Sequence, residues 1–294
     1  ATQFNANLAD WNVVNVADMS YMFYGATQFN SNLPDWNVGN VTNMTNMFNG
    51  ASEFVGDGLN TWDVSQVTAM NNMFTGASEF VGKGVSTWDV GNVTNMVYMF
   101  YGATQFNSNL SLWNVGNVTN MSYMFYGATA FVGTGLDTWD VIQVTAMNNM
   151  FQSATQFNAD ISEWDVSQVT NMQGMFYGAT AFVGDGLSTW VVSQVTSMQD
   201  MFRNATQFNQ TLSYNHDTGY WNVSNVTDMS KMFYGATAFV GDGLSTWVVS
   251  QVTNMEYMFY GATQFNENLS DWNVGNVTNM EYMFYGATQF NENL

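Results

Sequence analysis

The chain has a single histidine, His216, followed directly by Asp217 and flanked by Tyr214 and Tyr220. An imidazole beside a carboxylate can exchange protons, and two tyrosines nearby would give a small contact loop an apolar body with polar tips. Without cysteine there is no thiolate nucleophile, no disulfide and no Cys-type zinc site to assemble. Carboxylates are plentiful: 23 acidic residues face three basic ones (Lys83, Arg203, Lys231), a net charge of −20. That excess argues against nucleic acid and anionic membrane as partners, since both are held by Lys/Arg patches. Paired carboxylates are the one catalytic device left, and they need a unique cleft that drives their pKa values apart. A chain as repetitive as this one offers no such cleft. The expectation is a protein that is not an enzyme and carries no cofactor.

A second kind of chemistry is covalent modification. Twelve asparagines begin an Asn-x-Ser/Thr sequon: Asn40, Asn43, Asn92, Asn109, Asn117, Asn120, Asn204, Asn209, Asn222, Asn225, Asn268 and Asn276. They are glycosylation candidates if the source is a eukaryote. Asn109, Asn209 and Asn268, on a turn ahead of the expected strand, are sterically the best placed. A bland origin competes, because the Asn-Val-Thr motif also serves the repeat itself.

The elements that must position these groups follow from the counts. There are 11 Trp, 22 Met and 23 Phe, near 1:2:2, as a unit repeated eleven times would give. Breaking the chain before each Ala-Thr or Ala-Ser places unit starts at residues 1, 26, 51, 77, 103, 128, 154, 179, 205, 236 and 262, with a stub at 287–294. Ten units have 25 or 26 residues and the ninth has 31, its extra residues lying within 213–220. No apolar run approaches a membrane span. The chain opens without an initiator Met and stops within a unit, as expected of a piece of something longer.

In the unit Ala262–Gly286, Trp272 and Val274 alternate, which predicts a short strand. Val277, Met280, Met283 and Phe284 then lie on one stripe of a helical segment of about two turns. Thr278 and Glu281 read as its capping box, and Gly286 as its C-terminal cap. A unit buries roughly eight large apolar side chains worth about 1.5–3 kcal/mol each. Ordering its backbone costs about 1–2 kcal/mol per residue, so a lone unit cannot fold. The predicted architecture is a single solenoid over residues 1–294, with one short parallel strand and one short helix per coil. The alternative is a mostly-β solenoid with helical turns.

Stacking turns each register into a column. The position two before the Thr reads Asn15, Asn40, Gln66, Asn92, Asn117, Gln143, Gln168, Gln194, Asn225, Gln251 and Asn276, a side-chain amide every time. This predicts an amide ladder at the strand-to-helix corner. One residue after Trp, Asp63 and Asp89 fall on adjacent coils, as do Asp140 and Asp165. Opposed like charges are unfavourable, so these pairs either face open water or gather cations, with diffuse calcium the expected form. The Gly-Asp-Gly corners at Asp57, Asp185 and Asp242 are weaker metal candidates, because the same register carries Lys83 and Thr134.

Leu269-x-x-Trp272-x-Val274-x-x-Val277 resembles the leucine-rich-repeat strand pattern. The whole unit resembles the "surface protein 26-residue repeat" of BspA-like cell-surface proteins. The resemblance runs the length of the chain. It implies an extracellular or surface-anchored protein working in adhesion or host interaction, and no catalytic residues. Ala stands where related repeats often carry Cys.

Two functions follow as expectations. One is an extracellular structural protein whose copies associate with one another, head to tail or laterally, into fibres or a surface layer; near-identity of the units favours it. The other is an adhesin whose strand face binds a surface protein or glycan, with selectivity set by Asp35, Thr87, Leu112, Glu163 and Asp271. The loop of Tyr214, His216, Asp217 and Tyr220 is the one irregular feature.

Overall fold

A computed structural model describes residues 2–34 and 36–292. Each repeat forms one coil, and the coils stack in parallel. Ten parallel bridges run in a single file, from Asp18↔Asn43 through Asn95↔Asn120 to Asn254↔Asn279. The solenoid is therefore as the repeat predicts.

Inside a coil the elements differ from the expectation. The parallel ladder sits at Thr-Asn-Met, where the helix was foreseen, and no α-helix occurs among the described residues. Alternate amides in this segment reach the next coil: Met19 donates to Asn43 (2.9 Å), Tyr21 to Thr45 (2.9 Å), Phe23 to Met47 (2.8 Å) and Gly25 to Asn49 (2.7 Å). Their own carbonyls close tight turns, as Tyr24 to Tyr21 at 3.1 Å and Ala26 to Phe23 at 3.0 Å. One segment thus makes a ladder and a chain of turns together.

The cause is a residue in the left-handed region between the two Met positions of every coil: Tyr21 (φ 58), Asn46, Asn72, Tyr98, Tyr123, Asn149, Gly174, Asp200, Lys231, Tyr257 and Tyr282. A helix cannot pass through such a residue. A two-turn helix is marginal by itself, whereas the reversal sends its amides to a neighbouring coil and, in all but the first and last coils, still buries both Met side chains. The expected capping box dissolves accordingly. Thr278 gives its hydroxyl to the Thr253 carbonyl (3.1 Å), and the amide of Glu281 is held by Asn279 Oδ1 (3.0 Å).

The expected strand at Trp272–Val274 is an unpaired segment between two turns, with Trp272 N–H donating to Leu269 and Val277 N–H to Val274, both at 3.0 Å. What links coils here is the indole: Trp272 Nε1 donates to the Leu244 carbonyl at 2.8 Å.

The longer coils take up their extra residue in 3-10 turns at Leu59–Thr61, Val85–Thr87, Leu136–Thr138, Leu187–Thr189 and Leu244–Thr246. Glycine is required ahead of each. Gly58 has φ 92, and a Cβ on Gly56 would lie 2.5 Å from the Phe80 ring.

Core side chains superpose in files. Trp36, Trp62 and Trp88 stack at 6.2 and 6.3 Å with rings parallel to within 1°. Phe48 lies 4.1 Å from Phe54 and 5.5 Å from Phe74, which open and close the next repeat.

Candidate functional site

The exterior of the solenoid is a set of columns, and their donors mostly point inward. Asn40, Asn92, Asn117, Asn225 and Asn276 each spend Nδ2 on a main-chain carbonyl one coil back, at 2.7–2.8 Å. The amide column thus bonds to backbone, side chain to carbonyl. Asn15, Gln66, Gln143, Gln168, Gln194 and Gln251 are exposed at the same register. Beside them the Thr hydroxyls donate to the Thr one coil back, as Thr68 to Thr42 at 3.2 Å. With their donors committed, the Thr column and these five Asn show the solvent chiefly acceptor oxygens.

Asp63, Asp89, Asp140 and Asp165 are all exposed. Each accepts the amide two residues on, from Ser65, Gly91, Ile142 and Ser167, at 3.0–3.1 Å. Asn37 and Asn114 do the same for Gly39 and Gly116. The register therefore asks for a short side-chain acceptor, which Asn or Asp supplies equally. The Ser65 hydroxyl and amide hold the Asp63 carboxyl below its ordinary value. Among the described residues no three or more metal-ligating side chains gather into a cluster.

Of the sequon asparagines, Asn40, Asn92, Asn109, Asn117, Asn209, Asn225, Asn268 and Asn276 are exposed, while Asn43, Asn120, Asn204 and Asn222 are half-buried. Asn109 and Asn268 use Oδ1 to accept the amides of Ser111 and Ser270, and Asn209 uses its Oδ1 for Val240. These three engage the oxygen, whereas the Asn40 group engages the nitrogen that a glycan would need.

The insertion is built rather than loose. Asn215 closes it: its amide donates to Tyr220 (3.0 Å), its carbonyl accepts Gly219 (2.8 Å), and its Oδ1 accepts Asp217 (2.9 Å) and Thr218 (3.2 Å). Tyr214 N–H reaches forward to Thr246 Oγ1 at 2.7 Å, and Trp221 N–H reaches back to the Trp190 carbonyl at 3.0 Å. The insertion is stapled to the coils on either side of it. His216 and Asp217 stand at its tip, their side chains 92% and 98% exposed, with Nδ1 and Oδ1 3.9 Å apart. Such exposure gives an ion pair little energy. Tyr214 packs partly against the core, and Tyr220 lines an open recess together with Glu163 and Asp165.

Of the positions expected to set selectivity, Thr87, Leu112, Glu163 and Asp271 are exposed, Leu112 by 69%. Asp35 lies outside the described residues.

A tyrosine face went unforeseen in its detail. Tyr98 stacks on Tyr123 at 4.6 Å and Tyr101 on Tyr126 at 4.5 Å, close to the parallel-strand spacing of about 4.8 Å. Arg203 occupies a Tyr register and lies between Tyr177 and Tyr234, its guanidinium carbon 4.8 and 4.9 Å from their rings. It also pairs with Asp200 at 3.1 Å, yet burial still raises the Asp200 carboxyl above its ordinary value. The sequence held the signal, since Arg203 replaces Tyr in an aligned column.

The family described as "Mycoplasma protein of unknown function, DUF285" matches at residues 1–60, 51–135, 132–218 and 211–294. The chain belongs to this family. No curated protein matches it. Among solved structures it is similar to a leucine-rich cell surface protein from Faecalibacterium prausnitzii, with 13% identity, 85% of this chain and 76% of that one covered, and a TM-score of 0.37. A leucine-rich repeat protein from Bacteroides ovatus follows, with 11% identity, coverage of 72% and 67%, and a TM-score of 0.30. A chain from the TLR13–ssRNA13 complex matches at 10% identity and TM-score 0.32; 80% of this chain spans 36% of that one. The solenoid assignment for this DUF285 member rests on its own file of parallel bridges. Among the described residues no helix is long and apolar enough to cross a membrane.

Proposed function

We propose that this chain is a non-enzymatic repeat scaffold, working outside the cell or on its surface, that engages a partner through the one irregular stretch of its exterior. The carrying observation is the insertion in coil nine. Stapled to the coils on both sides, it raises an aromatic ring beside carboxylates on a rod whose exposed columns otherwise repeat. Uniform columns offer no cleft of the kind acid–base catalysis needs. The unit's resemblance to BspA-like surface repeats supports the extracellular setting and a protein or glycan as partner. Deleting Tyr214–Gly219 together with Tyr220→Leu restores the sequence and spacing of Leu110-Ser111-Leu112-Trp113 and removes the aromatic ring. Beads bearing the intact chain should adhere to surface protein or glycan arrays, and beads bearing the deletion should not. Equal adhesion by both overturns the reading.

A second reading, self-association, has its own observation. Trp11 is 54% exposed although it stacks on Trp36, and at the other end Val274 and Met280 are 39% and 41% exposed. Inner members of these registers are buried. Such a face accepts a further coil, from continuing chain or from a second copy, and copies stacked in this way would form fibres or a surface layer. Light scattering and electron microscopy decide it: filaments that lengthen with concentration support it, and a monodisperse monomer rejects it.

Two modifications belong to the same proposal. Asn109, Asn209 and Asn268 carry glycans in a eukaryotic source, and an intact mass equal to the bare 32.8 kDa chain rejects this. Calcium associates diffusely along Asp63/Asp89 and Asp140/Asp165, and calorimetry without heat rejects that.

A further inference from the structure

We propose that the recess beneath the coil-nine insertion receives the side chain of a lysine or arginine presented by a partner. This deepens the scaffold reading and rests on it. The recess is open, about 310 Å³, and its lining combines an apolar half and an anionic half by residue type.

One half is apolar. Tyr220, immediately before Trp221, stands at the register that holds Glu163 two coils earlier and Thr189 one coil earlier. Its main chain is fixed by the Asn215 turn and by the neighbouring Trp221–Trp190 bond. Val191 lies beside it at a register where most coils carry Asn or Asp. Val248 shares that register, between Tyr220 of the coil before and Asp271 of the coil after, and so has one carboxylate at the registers where Val191 has Glu163 and Asp165.

The other half is anionic. Glu163 and Asp165 are both exposed and line the same recess, as do Ser167 and Thr189. Asp165 commits one oxygen to the Ser167 amide and keeps the other for a ligand. The chain's own cations are engaged elsewhere, Lys83 with Asp57, Arg203 with Asp200 and Lys231 with Glu256. An alkyl stem fits along Val191 and the Tyr220 ring, where its head group gains a cation–π contact. The head group then meets Glu163 and Asp165 in charge-assisted hydrogen bonds. A neutral sugar would stack on the ring and donate hydroxyls to the carboxylates but leave their charge unbalanced.

The test is a two-dimensional NMR titration of the full chain with N-acetyl-lysinamide and N-acetyl-argininamide, using N-acetyl-norleucinamide and glucose as neutral controls. The cations should shift the Trp164 indole and the amides around Tyr220 saturably, with a dissociation constant on the order of 1 mM. The Glu163→Thr/Asp165→Asn double variant should weaken this by about tenfold. Other coils already use Thr and Asn at these registers, as Thr189 and Asn114 do, so its fold is preserved. Silence with both cations, an equal response to a neutral control, or unchanged affinity in the double variant overturns the proposal. If the insertion deletion abolishes adhesion while the cations stay silent, the scaffold reading survives and this inference alone falls. Saturable cation shifts without any loss of adhesion on deletion sink the scaffold reading instead.

Discussion

The indole Nε1 of Trp113 donates to the main-chain carbonyl of Val85, 2.8 Å away in an earlier coil. Trp36 does the same to Leu8 at 3.0 Å and Trp139 to Leu110 at 3.2 Å. The buried tryptophan file is therefore also a hydrogen-bond ladder, at the register where the main chain spends its own amides on local turns. Trp113→Phe keeps an aromatic ring but opens a void in the core and leaves the Val85 carbonyl with the Trp88 amide (3.1 Å) in place of two donors. It should cost about 2–4 kcal/mol, read as a shift of the denaturant midpoint. An unchanged midpoint would show that the bond adds nothing.

Left-handed backbone recurs at the close of each coil. Ser153 (φ 59) stands where Gly127 and Gly178 stand in the flanking coils. Ser153→Gly should stabilise by about 1 kcal/mol. Gly82→Ala should do the opposite, by about 3 kcal/mol or more. At φ 88 its Cβ would sit 2.6 Å from Ser108 Cβ and 2.8 Å from the Phe106 ring. Thermal melts of the two variants moving in the same direction would refute the assignment of these corners.

The two cations Arg203 and Lys83 are each paired, but in different settings. Arg203 lies between two tyrosine rings, while Lys83 is 62% exposed beside Asp57. Arg203→Ala should cost about 2 kcal/mol through lost stacking and packing. Lys83→Ala should stay within about 0.5 kcal/mol. Denaturation curves for the pair give the comparison, and equal losses would contradict it.

Burial raises the Asp200 carboxyl despite Arg203. A raised folded-state value means a contribution fully present below the ordinary carboxylate pKa and lost as pH climbs through the folded one. Asp200→Asn, with the residue found at Asn149 in the same register, removes that loss. The variant's gain in stability should be largest at neutral pH and shrink towards about pH 4. Asp63 has the opposite sign: its lowered carboxyl contributes above the ordinary value and ceases to as pH falls through the folded one. A constant Asp200→Asn difference between acid and neutral denaturation would refute the burial effect.

Burial raises the phenols of Tyr98, Tyr126, Tyr257 and Tyr260. Their contribution is present below the ordinary tyrosine value of about 10 and vanishes as pH rises through the folded values. Phenolate absorbance should lag that of N-acetyl-tyrosinamide and then rise together with alkaline unfolding. A titration coincident with the free compound would dismiss the stacked tyrosine face.

The repeat and the need to stack were legible in the residues alone, because no 25-residue unit can shelter its Trp, Met and Phe. Those residue types in fixed registers also determined the files of the core, and the break in period marked the insertion at 213–220. Only the tertiary structure decided what each segment is. Val277, Met280, Met283 and Phe284 fit a helical stripe, yet the same spacing is met by tight turns with one left-handed residue. The choice between them lies with a neighbouring coil, whose carbonyls take the amides that a helix would have kept. Likewise the Asn and Thr columns were legible as columns, while the direction of their donors depended on carbonyls one coil away. The recess joins Glu163, Asp165, Val191 and Tyr220 from three coils, and no linear pattern connects a position to the residues stacked above and below it until the rise of the coil is fixed.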